Sequence, residues 1–493
     1  MHPANGAPCR RRRPAPARDG SFAPPTPGSG RASTSATMPD SDPFRIASGQ
    51  GFWGDLARAP IDQARGGPID VLVMDYLAEV TMSILQKQKL RDPALGYARD
   101  FVDVVTELAP DIVERRFKVI SNAGGVNPEA CAEAIAAGAR KKGVTGLKIA
   151  VVTGDDLLPR LDELLAGGAE LKHMETGEKL AGFREHVVSA NAYLGARPIA
   201  EALAMGADVV VTGRTTDTGL TLAPLVHRFG WDWDDWDMMA AGTVAGHILE
   251  CGAQSSGGNF TDWHTVPDLA RVGFPIVEAN ADGSFVVTKH AGTGGLVSRG
   301  TVAEQLLYEI GDPADYITPD CIADFTSIHL HDEGGDRVRV SGITGRPATP
   351  FLKVSGAYAD GWKSTSTLVY AWPDAAAKAR AAADILRQRL DALGLTFDEF
   401  RAELVGLNAL SEAPPDTTRE ADLDEVQLRV SVRGADRAAV DAFGREIAPL
   451  ILTGPSAVTG FAGGRPRASE VVAYWPALVE KRLVTHAVRV VEV

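Results

Sequence analysis

The sequence predicts an α/β fold, with a mostly parallel, doubly wound sheet in an N-terminal domain and a second, α+β domain after it. Short β-branched runs such as Ile69–Met74 and Leu147–Val152 are typical of buried parallel strands. Helical stretches such as Pro128–Lys142 alternate with these runs, and this alternation implies right-handed crossovers between parallel strands. Beyond about residue 266 the order changes to hairpins and long strands, which favours a two-layer arrangement there.

The N-terminal domain is predicted to span residues 44–345. Its strands are expected at Phe44–Ala47, Ile69–Met74, Phe117–Ile120, Leu147–Val152 and Asp208–Val211, its helices at Pro128–Lys142, Leu157–Ala166 and Pro198–Met205, and its hairpins at Phe274–Val287 and Ile328–Ile343. The second domain is predicted over residues 346–493. Its expected elements are a strand pair at Phe351–Tyr358 and Ser364–Trp372, a helix at Asp374–Leu393, a strand at Glu425–Val432, a helix at Arg437–Leu450, and strands near Val471–Trp475 and Val484–Val491.

The bulk composition of the 493 residues is that of a globular protein, with 45% hydrophobic and 23% charged residues. A net charge of −14 argues against a nucleic-acid binder, because phosphate affinity depends on clustered Lys and Arg. The four cysteines lie far apart in sequence, which favours a reducing, cytoplasmic compartment over a disulfide framework. No uninterrupted apolar run approaches the roughly 18 residues that a membrane span requires.

Residues 1–43 differ in composition from the remainder of the chain. They contain Arg10–Arg13, many Pro, Ala, Ser and Gly, and almost no acidic residue. An Arg-rich, acid-poor start is also found in transit peptides, but this one lacks the apolar segment of a secretory signal. We predict a disordered tail here, with Met38 as the true initiator.

Polar, Gly-rich loops follow five predicted strands of the N-terminal domain. They are Gly49–Asp55, Asp75–Glu79, Ser121–Pro128, Thr153–Asp156 and Thr212–Asp217. An open α/β sheet binds its ligands in the crevice beyond the carboxyl ends of its strands. We therefore expect these loops to mark the ligand-binding face of the molecule.

The first of these loops carries the pattern Gly49-x-Gly51-x-x-Gly54, and Asp75 ends the next strand. This spacing is that of a dinucleotide fingerprint, in which the backbone approaches a pyrophosphate and the acid binds a ribose hydroxyl. Two aromatic residues stand inside the pattern, where small residues are usual. The preferred interpretation is therefore a tight turn packed around aromatic side chains, with a cofactor site as the weaker alternative.

The third loop contains Asn122, Gly124, Gly125 and Asn127. Its two glycines let backbone N–H groups face a ligand, and the following helix N-terminus favours an anion. A loop in which Asn127 only caps the helix is an equally weighted alternative.

The last two loops carry charged side chains. Asp155, beside Asp156, can share a proton with it or hold a divalent cation, although one of the two is also suited to cap the next helix. Arg214 suits a carboxylate or phosphate group of a substrate. A buried ion pair between Arg214 and Asp217 explains the same residues without any ligand.

The segment Ala241–Gln254 is predicted as one helix with a polar face, formed by His247, Glu250, Cys251 and Gln254. Such a face can supply a general acid and base, a thiolate nucleophile or metal ligands. Metal binding is the least favoured of these, because the spacing matches no standard zinc motif. The alternative is a structural face whose polar groups bond to neighbouring loops.

A later Gly-rich loop contains Lys289, Thr293, Gly294 and Gly295 and leads towards a helix predicted at Val302–Ile310. Backbone amides of such a loop, with a lysine beside them, can cradle a phosphate group. The loop does not match the P-loop pattern, so a flexible connection between sheet segments is the alternative.

Several long motifs stand in a characteristic order between residue 44 and the C-terminus. They are the segments 51–55, 75–79, 122–125, 154–156, 190–195, 206–214, 246–252, 292–295 and 304–309, which read GFWGD, DYLAE, NAGG, GDD, ANAYLG, GADVVVTGR, GHILECG, GTGG and EQLLYE. In these segments the chain resembles the acyclic terpene utilization (AtuA) family. That family is named for the catabolism of acyclic terpenoids such as citronellol and geraniol, a route that runs on CoA thioesters. Members often carry a further C-terminal domain of ferredoxin-like type, which this chain ends before, so the resemblance implies a separate small partner protein.

The polar strand-end face and this resemblance together predict a catabolic lyase or hydratase that acts on a branched acid or its CoA thioester. Catalytic roles are assigned to Glu250, His247, Asp155, Asp217 and Cys251, and substrate contacts to Asn122, Gly124, Gly125, Asn127, Arg214, Gln254, Lys289, Thr293, Gly294 and Gly295. No cofactor is specified beyond a CoA moiety within the substrate. A nucleotide-dependent oxidoreductase and a non-catalytic subunit of a degradation complex are the alternatives. A homo-oligomer without nucleic-acid or membrane partners is expected.

Overall fold

The computed structural model describes residues 43–410, 417–460 and 464–493. Its strands are β1 (Phe44–Gln50), β2 (Val71–Met74), β3 (Lys118–Ser121), β4 (Lys148–Thr153), β5 (Val187–Ala192), β6 (Val209–Thr212), β7 (Pro275–Ala279), β8 (Phe285–Lys289), β9 (Tyr316–Ile317), β10 (Ile322–Asp324), β11 (His329–Asp332), β12 (Val338–Ser341), β13 (Thr344–Arg346), β14 (Phe351–Ala371), β15 (Glu399–Val405), β16 (Glu425–Gly434), β17 (Val458–Thr459), β18 (Ser469–Glu480) and β19 (Ala487–Glu492). Its α-helices are α1 (Ala59–Gly66), α2 (Glu79–Arg91), α3 (Arg99–Arg115), α4 (Pro128–Lys141), α5 (Leu161–Ala166), α6 (Arg197–Ala204), α7 (Gly219–Phe229), α8 (Trp236–Glu250), α9 (Arg299–Leu307), α10 (Ala375–Ala392), α11 (Arg437–Ile447) and α12 (Leu450–Thr453).

A ten-stranded mixed sheet lies at the centre of the fold. Its strand order is β11-β12-β8-β7-β1-β2-β3-β6-β4-β19, and the five strands β1, β2, β3, β6 and β4 are mutually parallel. The remaining strands join it antiparallel on both sides. The predicted α/β class is therefore confirmed, with a parallel centre inside a mixed sheet.

Helices cover both faces of this sheet, as a doubly wound arrangement requires. In β2, Val71 and Val73 pack into the core that contains residues of α6, α7 and α8, whereas Leu72 and Met74 pack into the core that contains residues of α1, α3 and α4. Neighbouring residues of a strand point to opposite faces, so an uninterrupted apolar run is buried on both sides. This geometry explains why the parallel strands read as short, continuous hydrophobic segments.

A second, antiparallel sheet is built around β14. One long strand replaces the strand pair predicted at Phe351–Tyr358 and Ser364–Trp372, which was wrong because the chain does not turn between them. The first half of β14 pairs with β5 and β18, and its second half pairs with β16, with Trp362 and Lys363 paired on both sides, to β18 and to β16. Helices α10 and α11 pack on this sheet.

Each of the two sheets includes a strand from the part of the chain that forms most of the other sheet. The strand β5 comes from the first half of the chain but pairs with β14, whereas β19, near the C-terminus, pairs with β4 of the ten-stranded sheet. The boundary at residue 345 stays a prediction, and the predicted tail lies outside the described residues apart from position 43. Within the described residues, no helix has the length and apolarity needed to cross a membrane.

The hairpins predicted at Phe274–Val287 and Ile328–Ile343 are confirmed as β7–β8 and β11–β12. The helix predicted to start at Val302 begins earlier, as α9, because Ser298 caps it: the Thr301 N–H donates to Ser298 Oγ at 3.3 Å. The residues that directly follow α9, Tyr308 and Glu309, line a cavity.

Candidate functional site

A cavity of about 590 Å³ lies at the carboxyl edge of the parallel strands β1, β2 and β6. The loops after these strands, the end of α8 and the residues after α9 form its walls. The lining residues are Gly51, Phe52, Asp55, Asp75, Leu77, Ala78, Glu79, Asp217, Glu250, Cys251, Ala253, Gln254, Gly258, Asn259, Tyr308 and Glu309.

The cavity lining is acidic. Its carboxyl groups belong to Asp55, Asp75, Glu79, Asp217, Glu250 and Glu309. Within the described part of the chain, no Lys, Arg or His is among the lining residues. Burial raises the pKa of Asp75, Asp217 and Glu250, and neighbouring acidic groups add to the increase at each of them.

Asp75 is fixed from behind by Asn122. Asn122 Nδ2 donates to Asp75 Oδ1 at 2.7 Å, and the Leu77 N–H donates to the same oxygen at 3.0 Å. Asn122 Oδ1 in turn accepts from the Tyr76 N–H at 2.8 Å. Asn122 is fully buried and outside the cavity lining, so in this structure it orients a carboxyl group and does not face a ligand.

Asp75 and Asp217 form a carboxyl pair. Their side chains line the same cavity and the same small chamber beside it, although they follow different strands. Burial raises the pKa of Asp217 well above its ordinary value, in spite of Arg214, and Asp75 adds to the increase. Burial likewise raises the pKa of Asp75. Because the pKa of each group is raised and neighbouring like charges disfavour ionisation, we infer that the pair holds a shared proton.

Arg214 stands behind this pair, with its side chain 1% exposed. Its Nη2 donates to Asp217 Oδ1 at 2.7 Å, its Nη1 donates to the Leu77 carbonyl, and its guanidinium carbon lies 4.1 Å from the centroid of the Tyr193 ring. Arg214 does not line the cavity. This position matches the buried ion pair considered from the sequence, and not a contact to a substrate carboxylate.

His247 and Glu250 form a second proton-sharing pair. His247 Nε2 lies 2.9 Å from the carbonyl oxygen of Gln305, and a carbonyl only accepts, so Nε2 carries a hydrogen. His247 Nδ1 lies 2.7 Å from Glu250 Oε1. One proton must therefore lie between these two atoms, either as an ion pair or as a neutral acid bound to a neutral imidazole.

The environment of this second pair supports proton exchange. Burial lowers the pKa of His247, but Glu250 and the Gln305 carbonyl raise it above its ordinary value. Burial raises the pKa of Glu250, and His247 offsets that increase only in part. Glu250 lines the cavity, whereas His247 is enclosed between the rings of Tyr316 and Phe325. The carboxyl group therefore faces the cavity, and the imidazole lies behind it.

The helix predicted over Ala241–Gln254 ends at Glu250, so Cys251 and Gln254 do not share its face. The helix stops there because Gly252 adopts a left-handed backbone with φ of +55°, and a 3-10 turn follows. Both side chains still reach the cavity. Burial raises the pKa of the Cys251 thiol to about 12, which disfavours the thiolate nucleophile considered from the sequence.

The glycine pattern after β1 serves close packing. A Cβ on Gly51 would lie 2.5 Å from the Gly252 backbone nitrogen, and a Cβ on Gly49 would lie 2.9 Å from Leu72 Cδ1. The Gly51 N–H donates to Asp55 Oδ2, and α1 begins only at Ala59, after Gly54 and a further turn. These contacts match the tight turn preferred from the sequence, and they give the dinucleotide alternative no support.

Asp155 lies behind Arg214 and outside the cavity lining. Its Oδ2 accepts from the Arg214 N–H at 2.8 Å and from Asn191 Nδ2 at 2.9 Å. Burial raises the pKa of Asp155 to about 7. It supports the loop after β6, and the structure does not bring it together with Glu250 or Asp217 at the cavity surface.

Two predicted ligand loops also lie outside the lining. Lys289 Nζ pairs with Asp336 at 2.9 Å and donates to the Thr293 carbonyl at 3.1 Å, while the amides of Gly294 and Gly295 are already bonded to other carbonyls. In the loop after β3, Asn127 Nδ2 donates to two carbonyls and its side chain forms no cap. A Cβ added to its neighbour Gly124 would clash with Thr212 and Pro128, and a Cβ added to Gly125 would clash with Leu85 and Gly96.

Several residues at the site were not singled out from the sequence. Asp55 and Glu79 belong to predicted strand-end loops, so the loop argument located them without naming a role. Gln305 holds His247 by also donating from Nε2 to the His247 carbonyl at 2.7 Å. Gln305, Tyr308 and Glu309 all lie in the motif 304–309, which carried the family resemblance without any role being named, and packing of α9 beside α8 brings them to the site.

Comparison with known proteins identifies the family. The family model described as "Acyclic terpene utilisation family protein AtuA" matches residues 44–490. The chain belongs to the AtuA family. The resemblance found in the motifs is thereby confirmed. No curated protein and no solved structure matches this AtuA chain. In the described part of the AtuA chain, no three His, Cys, Asp or Glu side chains are grouped as ligands of a metal ion.

Proposed function

We propose that this AtuA protein is a catabolic enzyme of the lyase or hydratase type, which adds water to, or removes it from, a branched acyl thioester. One observation carries the proposal: the carboxyl groups of the pair Asp75–Asp217 and of Glu250, which is bonded to His247, line one small chamber beside the cavity. Dehydration and hydration need a base for a carbon-bound proton and an acid for the hydroxyl group. The two pairs supply these two functions in neighbouring places.

In the dehydration direction Glu250 takes the proton from the carbon next to the thioester carbonyl. The electrons of that C–H bond form the new C=C bond, and the C–O bond of the hydroxyl group breaks. The Asp75–Asp217 pair gives its shared proton to the departing hydroxide, so that water leaves. The reverse sequence adds water across the double bond, with the same groups in exchanged roles.

The proton taken up by Glu250 then returns to the carboxyl pair. Asp75, Asp217 and Glu250 together line a small chamber of about 10 Å³ next to the cavity. A chamber of this size holds about one water molecule among polar groups. The proton therefore moves only a short distance from Glu250 to the carboxyl pair. His247 compensates the negative charge of Glu250 once that proton has left.

A thioester fits this cavity better than a free acid does. A substrate carboxylate would meet six acidic side chains, and the nearby Arg214 is already engaged with Asp217. The acyl part of a thioester carries no charge and so avoids this repulsion. The phosphate groups of a CoA carrier would then lie outside the acidic cavity.

The test is incubation with a panel of 3-hydroxy and unsaturated branched acyl-CoA thioesters and the matching free acids in D₂O. Mass spectrometry reads both the loss or gain of water and the incorporation of solvent deuterium at the carbon next to the carbonyl. We expect turnover of thioesters by the wild type and by the surface control Glu114→Gln, and loss with Glu250→Gln. Turnover by Glu250→Gln at the wild-type rate would contradict the proposal. So would a wild-type enzyme that incorporates no solvent deuterium into any of the thioesters.

A further inference from the structure

The Tyr193 ring lies beside two cations that come from different sheets. The Arg214 guanidinium carbon is 4.1 Å from the ring centroid, and Lys353 Nζ is 5.0 Å from it. The Tyr193 hydroxyl donates to Glu79 Oε1 at 3.0 Å, and Lys353 Nζ is 3.2 Å from the same oxygen. These four side chains, here called the Tyr193 network, run from β14 to the cavity wall.

The backbone of the antiparallel sheet fixes the place of Lys353. The Tyr193 N–H donates to the Lys353 carbonyl at 2.8 Å, and the adjacent pair Val354 and Ala192 stand opposite each other in the β14–β5 ladder. Lys353 Nζ also lies 5.8 Å from the centroid of the Tyr474 ring, on β18. The second sheet therefore presents an ammonium group to Glu79, which lines the cavity.

We propose that Lys353 is a positioning residue of the site, which holds Glu79 and Tyr193 and, through Tyr193, keeps Arg214 against Asp217. The proposal rests on the proposed function in treating the Asp75–Asp217 pair as the acid. The Lys353 and Glu79 side chains are 40% and 44% exposed. Ion pairs as exposed as this add little to stability, so the contribution of Lys353 lies in the site and not in the fold.

The charge of Lys353 acts on the same carboxyl groups. Burial raises the pKa of Glu79, but Lys353, a backbone hydrogen bond and Arg214 bring it below its ordinary value. Glu79 in turn raises the pKa of Asp217. When Lys353 is removed, Asp217 faces a less compensated negative charge, so its pKa rises further.

Other charged and titratable groups face the same two carboxyl groups. Those around Asp217 are Asp75, Glu79, Arg214, Tyr193, Glu250 and Tyr316. Those around Glu79 are Lys353, Arg214, Tyr193 and Tyr474. Each of these groups is present in every variant compared below, apart from Lys353 itself, so a difference between variants reports on Lys353.

The test is a titration that needs no substrate. Protein labelled with ¹³C at the Asp carboxyl carbons is titrated by NMR, and the Asp217 resonance is assigned by its loss in Asp217→Asn. Wild type is compared with Lys353→Met, Lys353→Arg and the matched control Lys363→Met, an exposed lysine of the same strand. We expect the Asp217 midpoint to rise by about half a pH unit in Lys353→Met and to stay unchanged in the other two.

An unchanged midpoint in Lys353→Met overturns the proposal. So does an equal rise in Lys353→Arg, because arginine keeps the charge. Lys353→Met should also melt within a few degrees of the wild type, whereas a large loss of stability would indicate a structural role and contradict the inference. If the wild type turns over no thioester but the titration behaves as expected, the proposed function fails while the role of Lys353 stands.

Discussion

His247 Nδ1 and Glu250 Oε1 lie 2.7 Å apart on the last turn of α8, with Nε2 of the same imidazole held by the Gln305 carbonyl. The carbonyl decides the tautomer, because it obliges Nε2 to carry a hydrogen. A proton then lies between Nδ1 and Oε1. Glu250 is the member of the pair that lines the cavity.

Glu250→Gln should lower kcat by about 10²- to 10⁴-fold, because an amide cannot take up the substrate proton. The Gln side chain can still donate to His247 Nδ1, so folding should be retained. Steady-state kinetics on the thioester identified in the panel, with circular dichroism as the folding control, checks this. Retained kcat together with retained structure would exclude Glu250 as the base.

Asp75→Asn should remove the shared proton while it keeps the local geometry. The Asn oxygen can still accept from Asn122 Nδ2 and from the Leu77 N–H, and its amide can donate to Asp217. We expect kcat to fall about 10²- to 10⁴-fold and the pH–rate profile to change on its alkaline limb. In the wild type that limb marks loss of the shared proton as pH rises. A variant profile with the wild-type alkaline limb would assign the acid to another group.

Asp155→Asn should flatten the pH dependence of stability between about pH 4 and pH 7. Burial raises the pKa of Asp155 from 3.8 to about 7, so the folded state binds a proton that the unfolded state releases. In the wild type the bound proton stabilises the folded state at pH values below the pKa that Asp155 has in the unfolded chain. This stabilisation, at most about 4 kcal/mol, is lost as the pH rises towards 7. The Asn oxygen can keep both hydrogen bonds that Asp155 Oδ2 accepts. Thermal melts across this range measure the effect, and parallel curves for the two proteins would contradict it.

Gly51→Ala should destabilise the protein by about 1–3 kcal/mol and reduce activity, because its Cβ would meet backbone atoms that cannot move aside. That Cβ would lie 2.5 Å from the Gly252 nitrogen and 2.8 Å from the Cys251 carbonyl carbon, at the wall of the cavity. Gly182→Ala is the matched control, since no atom lies within 4 Å of its Cβ. Differential scanning calorimetry should show a lower Tm only for Gly51→Ala. Equal Tm values for Gly51→Ala and Gly182→Ala would show that the backbone at Gly252 moves to accommodate the Cβ, and would contradict this prediction.

The loops after β1, β2, β3, β4 and β6 were located from the sequence because strand runs and turn residues are local signals. The i, i+3 spacing of His247 and Glu250 is local in the same sense, and it placed both side chains on one helix face. The extension of that face to Cys251 and Gln254 was wrong, because Gly252 adopts a left-handed backbone and the helix ends at Glu250. For Arg214 the sequence left two alternatives open, a contact to a ligand and an ion pair with Asp217. The sequence identified Asp217 as a partner but not the burial of the Arg214 side chain, which distinguishes the two.

By itself, the sequence determined the α/β class, the parallel strands, most helices and the AtuA family, because apolar periodicity and motif order are written along the chain. Tertiary structure alone decided which polar groups work together. It set Asp75 beside Asp217, closed Gln305 on His247, and brought Lys353 from the second sheet to Glu79. Such pairings depend on strand order and on packing between elements distant in sequence, and proton sharing follows from burial and distance, which residue spacing does not encode.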